Sequence, residues 1–146
     1  MQLHEESFNR LQDLAAIKAL VGTTENLYLD CKIWPPNEND AQKVLPKALC
    51  GFANADGGVV VIGMEARGGP SKDDPDMIQQ PRPVADALTV KSRIENLIGQ
   101  LVEPCLEGVQ VATVFEPPGS ISGFVLVDVP PTEGLPCRSR RIGSST

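Results

Sequence analysis

The chain is 146 residues long, 41% hydrophobic and 22% charged, with a net charge of −6. That is enough for one domain with a real core, and the composition is neither disordered nor fibrous. No apolar run approaches the ~20 residues of a membrane helix, and an acidic chain binds nucleic acid only through placed Lys and Arg, not by bulk attraction. The polar start, MQLHEESFNR, is unlike a secretory leader, so the expected compartment is the cytoplasm. The four cysteines (Cys31, Cys50, Cys105, Cys137) are scattered, no CxxC occurs and the single histidine is His4. Thiols are expected, and a structural zinc site is not.

Phe8, Leu11, Leu14, Ala15 and Leu20 predict a first helix over 4–21, with Glu5 and Glu6 at its N-terminal dipole and Gly22 as its stop. From 27 to 33 the residues alternate. Leu27, Leu29, Cys31 and Ile33 share one face of a strand; Tyr28, Asp30, Lys32 and Trp34 share the other. Asp40 is a cap for a helix over 41–53, and Pro46 marks a first turn if that helix starts near Leu45. Asn54-Ala55-Asp56-Gly57-Gly58 is a turn. Val59-Val60-Val61-Ile62 is wholly apolar and β-branched, the pattern of a strand covered on both faces. Gly63 then bends the chain, and Glu65 stands at the strand's exit. Prolines 70, 75, 81 and 83 predict a surface loop over most of 67–83. A helix over 85–102, ended by Pro104, and a hairpin of strands 109–115 and 123–129 follow. The expected architecture is one α/β (α+β) domain over 1–146, a mixed sheet with a central apolar strand packed by helices. The tail stops abruptly after Ile142-Gly143-Ser144-Ser145-Thr146, which reads as the N-terminal part of a longer protein.

The candidate chemistry lies in three carboxylates, Glu25, Asp30 and Glu65. Convergent carboxylates hold Mg²⁺ or Mn²⁺, because hard cations take oxygen ligands, and such an ion activates water or steadies a phosphate oxygen. Lys32 beside them is placed to neutralise phosphate charge. The bland alternative is a same-face Asp30–Lys32 ion pair worth ~1 kcal/mol or less. On one uninterrupted strand Glu25 and Asp30 point to opposite faces, so they converge only if Glu25 precedes the strand or a bulge intervenes. The turn residues Asn54, Asp56, Gly57 and Gly58 are the alternative, a phosphate or nucleotide loop, although neither GxGxxG nor GxxxxGK[ST] is present. Tyr28 and Trp34 either stack on bases or pack beneath the next helix. Arg138, Arg140 and Arg141 make the tail basic and are candidate nucleic-acid contacts.

The order of motifs resembles the Schlafen-type AlbA-like domain: Glu25-x-x-x-x-Asp30-x-Lys32, a helix rich in alanine and cysteine, FANADGG, then VVVIGME. The resemblance runs from Thr23 to Thr146 and is most specific from FANADGG to IGM. It implies a nucleic-acid-binding domain, RNA or DNA, and in some Schlafen proteins a metal-dependent endoribonuclease that cleaves structured RNA. By motif, Glu25 and Asp30 match the first two acids of such a site, Glu65 falls at or beside the third, and Lys32 matches the lysine after the second. Asp30 and Glu65 look like swaps of the usual Glu and Asp, which alters reach by one methylene. Bacterial relatives without catalysis are described as DNA-binding or ATP-binding regulators, so a DNA-binding or nucleotide-binding regulatory module is the second expectation. The zinc site of the larger animal proteins has no counterpart here. Those proteins pair two lobes into a cradle, which implies a homodimer for a lone domain.

Overall fold

The computed structural model describes residues 2–68, 73–103, 107–132 and 136–139. In chain order the elements are α1 (Leu3–Arg10), α2 (Leu14–Lys18), β1 (Leu29–Lys32), α3 (Glu38–Ala53), β2 (Gly58–Ile62), β3 (Met64–Arg67) and β4 (Met77–Pro81). They continue with α4 (Ala87–Leu101), β5 (Val102–Glu103), β6 (Gln110–Phe115), β7 (Gly123–Val129) and β8 (Arg138–Ser139). The four apolar residues of β2 are 2% exposed or less. A strand stripped of water on both faces needs a neighbour at each edge to hold its backbone hydrogen bonds. β1 supplies one in parallel and β7 the other in antiparallel, and β6 pairs outside β7. The result is a mixed four-stranded sheet in the order β1-β2-β7-β6.

Alternation along β2 divides the core. Val60 and Ile62 pack with Leu45 and Leu49 of α3 and Ile94 and Leu97 of α4. Val59 and Val61 pack on the opposite side with Phe8, Leu11 and Ile17 of the N-terminal helices. Because β1 and β2 are parallel, the chain must cross between them, and α3 is that crossover. Separate two-stranded pairs, β3-β4 and β5-β8, flank the sheet. Among the described residues no helix is long and apolar enough to cross a membrane.

Several elements depart from the pattern. The predicted helix over 4–21 is two helices, α1 and α2. Phe8 and Ile17 would sit about 180° apart on one helix at ~100° per residue, yet both are buried in the same cluster. The break brings them together, and Asp13 caps α2 by accepting from the Ala15 amide. α3 begins at Glu38, capped by Asn37 rather than Asp40: Asn37 Oδ1 accepts the Asp40 N–H at 2.9 Å. Pro46 lies inside this helix, not in its first turn. The breaker-rich stretch contains β4, which pairs with β3 through a bulge between Glu65 and Ala66, and Pro81 takes its end position. The helix after it begins at Ala87, where Asp86 accepts the Thr89 N–H; Pro104 lies outside the described residues. Trp34 packs against the core on the α3 side.

His4, to which the sequence pattern gave no role, is 2% exposed. Its Nδ1–H donates to Asp128 Oδ1 at 2.7 Å and ties α1 to β7. Burial pushes the Asp128 carboxyl up, and the His4 hydrogen bond opposes that.

Two glycines in α3 and the turn after it give a contrasting test. Gly57 has φ +85°, and a Cβ there would meet the Val129 carbonyl oxygen at 2.8 Å. Gly57→Ala is expected to cost about 1–3 kcal/mol. Gly51 sits in α3 with nothing within 4 Å of an added Cβ, so Gly51→Ala is expected to stabilise by about 0.4–1 kcal/mol. Urea midpoints of the two variants measure both.

Candidate functional site

β1 is the edge of the four-stranded sheet, and its outer side carries the site. Leu29 and Cys31 are buried among the N-terminal helices, so Asp30 and Lys32 face the α3 side. Lys32 Nζ lies 3.5 Å from Asp30 Oδ2. Glu25 comes from the stretch before β1. Its own amide donates to the Asp76 carbonyl at 2.9 Å, and Thr24 bridges to Met77. That anchorage to β4, with Asn26 bridging Leu29, folds the stretch back along β1. Glu25 Oε2 then accepts the Cys31 N–H at 2.6 Å.

Glu25 therefore precedes the strand, which removes the geometric objection to its meeting Asp30. Both carboxyls face one groove, and the Glu25 carboxyl is pushed up to about 7, chiefly by burial, then by Asp30, with Asp76 adding to it. A second acid beside a half-buried first one disfavours a second negative charge, which is why Asp30 adds to the rise at Glu25.

The pair opens into a groove of about 720 Å³ between β1 and α3. Lys32, Lys43 and Lys47 line it, with Phe52 on its wall. Lys43 and Lys47 stand one turn apart on α3 and are exposed. Sequence reasoning missed both; the signal was the i, i+4 spacing of two lysines on the helix that follows Asp30-x-Lys32.

Glu65 is held differently. It is 7% exposed on β3. Its Oε2 accepts from Gln80 Nε2 at 3.0 Å, its Oε1 accepts from Arg67 Nη2 at 3.3 Å, and Arg82 Nε is 3.9 Å from the same oxygen. The Gln80 hydrogen bond, then Arg67 and Arg82, hold this carboxyl below its usual range. Among the described residues no three acid, histidine or cysteine side chains gather as one cation-ligand set. The Glu25–Asp30 pair fits a hard cation in its donor chemistry. Glu65 has its charge matched by guanidinium groups.

The Schlafen, AlbA_2 family matches residues 25–144 of this chain, a span that covers both acids of the pair and the arginines of the tail. This chain belongs to that family. No curated protein sequence matches it. One solved structure that it resembles is the solution structure of the N-terminal domain of a protein from Nitrosomonas europaea, described as related to the ATP-dependent DNA helicase RecG. The identity is 18%, the match covers 100% of this chain and 92% of the other, and the TM-score is 0.48.

The other residues singled out in this Schlafen AlbA_2 domain lie elsewhere. Asn54 is occupied at the end of α3: its Nδ2 donates to the Cys137 carbonyl at 2.8 Å and its Oδ1 accepts the Cys137 N–H at 2.7 Å. Gly57 is pressed between β7 and His4, and Gly58 lies against the Phe52 ring. Asp56 is exposed in the same turn. None of these four lines the β1–α3 groove. Arg140, Arg141 and the Arg138 side chain lie outside the described residues. Cys31 and Cys137 are buried thiols, each pushed up to about 12, first by burial. Neither is a nucleophile at neutral pH.

The raised Glu25 carboxyl makes a stability prediction with a definite sign. Its folded pKa, about 7, lies above its ordinary 4.5. Between those values the folded state binds more protons than the unfolded state, so this group's contribution to stability falls as pH rises. Glu25→Gln keeps an acceptor for the Cys31 N–H and gives Asp30 a donor. Relative to the native chain it is expected to be near neutral at pH 4.5 and more stable by about 1–2 kcal/mol at pH 8, after discounting for solvent screening. Paired urea melts at the two pH values measure the difference.

Proposed function

We propose that this domain binds structured RNA in the β1–α3 groove and cleaves it as a divalent-metal-dependent endoribonuclease. The observation that carries the reading is the convergence of Glu25 and Asp30 on one groove that Lys32, Lys43 and Lys47 also line. Two carboxylates close together are stabilised by a hard cation, and the lysines supply sites for phosphate oxygens. In this net acidic chain three lysines line the same groove as the two acids.

Glu25 and Asp30 would hold Mg²⁺ or Mn²⁺. When bound, the ion supplies a more acidic water and a Lewis acid for the phosphate. Each remaining role belongs to the chain. The Cys31 amide fixes one oxygen of Glu25, leaving the other to the pair. Lys32, held near Asp30, is placed to meet negative charge that builds on the phosphate. Lys43 and Lys47 bind the backbone and set its register along α3. Phe52 offers an aromatic surface in the same groove.

The reading is tested with a labelled RNA hairpin. Binding should weaken with salt, and Lys43→Ala with Lys47→Ala should reduce the slope of log affinity against log salt by about 1.5–2. Cleavage should require Mn²⁺ or Mg²⁺ and fall by about 10–100-fold in Asp30→Asn while binding persists. Cleavage that survives Asp30→Asn and Glu25→Gln alike would overturn the enzymatic reading. Salt-dependent binding with no cleavage by the native chain would leave a regulatory nucleic-acid-binding module.

A further inference from the structure

Gly63 connects the groove to a second cationic feature. Its N–H donates to the Lys32 carbonyl at 2.8 Å, and its own carbonyl accepts the Arg82 N–H at 2.6 Å. Lys32, Gly63 and Arg82 are thus successive rungs at the end of β1. β3 leaves directly from Gly63, and Glu65 pairs in register with Gln80 of β4. On this hairpin the Arg67 and Arg82 guanidiniums converge on one oxygen of Glu65, at 3.3 and 3.9 Å. The carboxylate side chain is 9% exposed, while the arginine side chains are 70% and 54% exposed. An exposed ion pair is usually a solvated contact of little value. Two guanidiniums on one buried carboxylate differ, since they leave a net positive charge with its donors facing solvent, and Gln80 already satisfies the other oxygen.

We infer that Arg67 and Arg82 form a second phosphate-binding position, one rung beyond Lys32, and that Glu65 is the positioning residue that holds the two guanidiniums together. The inference rests on the groove as the RNA track and extends that track onto the β3-β4 hairpin. It gives Glu65 a role other than cation ligand. Guanidinium forks bind phosphate oxygens in a bidentate manner, which a lysine does not reproduce. The ligand is a phosphodiester of the same RNA, since two successive backbone hydrogen bonds through Gly63 join Lys32 of the groove to Arg82.

The test is binding of the labelled RNA hairpin to the full chain across a salt series. Arg67→Ala with Arg82→Ala should weaken binding about tenfold and lower the salt slope by about 1.5–2. Arg67→Lys with Arg82→Lys keeps the charge and should still lose affinity. Glu65→Gln should also weaken binding, although it removes a negative charge; bulk electrostatics alone would tighten it. A salt slope unchanged in the double alanine variant would overturn the inference, and tighter binding by Glu65→Gln would overturn the positioning role. Should Glu65→Gln fail to fold, the exposed arginines decide the question. If Lys43→Ala with Lys47→Ala loses binding while the arginine variants do not, the groove reading stands and this one falls. If the native chain binds no RNA, both fall.

Discussion

The fold depends on removing one strand from water on both faces. β2 has no polar side chain, so every neighbour it takes must supply either apolar surface or backbone hydrogen bonds. A parallel partner satisfies one edge and obliges the chain to cross over in between. That obligation places α3 against the face of β1 that carries Asp30 and Lys32. The lysines of α3 share a groove with Asp30 of β1, and with Glu25 before it, because a hydrophobic strand needed a parallel neighbour. The site follows from the requirements of the core rather than from local sequence.

Two glutamates in the same small domain are driven in opposite directions. Glu25 is placed beside another acid in a half-buried corner, and its proton is retained. Glu65 meets an amide and two guanidiniums, and its proton is given up readily. The same side chain is thus set to opposite protonation tendencies by its neighbours alone. What separates them is which backbone carries each one. Glu25 rides on a turn anchored to β4, and Glu65 on a strand whose partner brings Gln80.

The apolar run of β2, the hairpin of β6 and β7, the helices α3 and α4 and the in–out alternation of Leu29 to Lys32 were legible, because each writes its burial into a simple period. The split of the first helix was not. Phe8 and Ile17 reach one cluster only through a break whose cause, a cap at Asp13, is weak in sequence. β4 was hidden by prolines that flank it and close it, and Pro46 misled because a proline inside a packed helix is rare. In the site, the meeting of Glu25 with Asp30 was legible only as a condition on where β1 starts. Lys43 and Lys47 were visible as letters but not as a wall, since their relevance depends on the crossover. Nothing in the spacing indicated that Glu65 would be claimed by Arg67 and Arg82, which reach it from two different strand ends.

The hydrogen bond from Cys31 to Glu25 also bears on how the molecule keeps to itself. An edge strand offers unsatisfied amides and carbonyls to any extended chain that passes, and sheets grow or aggregate at such edges. Here the outward amide of Cys31 is taken by a side chain, and Leu29 exchanges its backbone groups with Asn26. A foreign strand would find these rungs occupied and would have to displace a carboxylate to register. The residue that faces the groove beside Asp30 is also a stopper on this edge of the sheet. A ligand that drew Glu25 toward itself would loosen that stopper, so occupancy of the groove and protection of the edge draw on the same side chain.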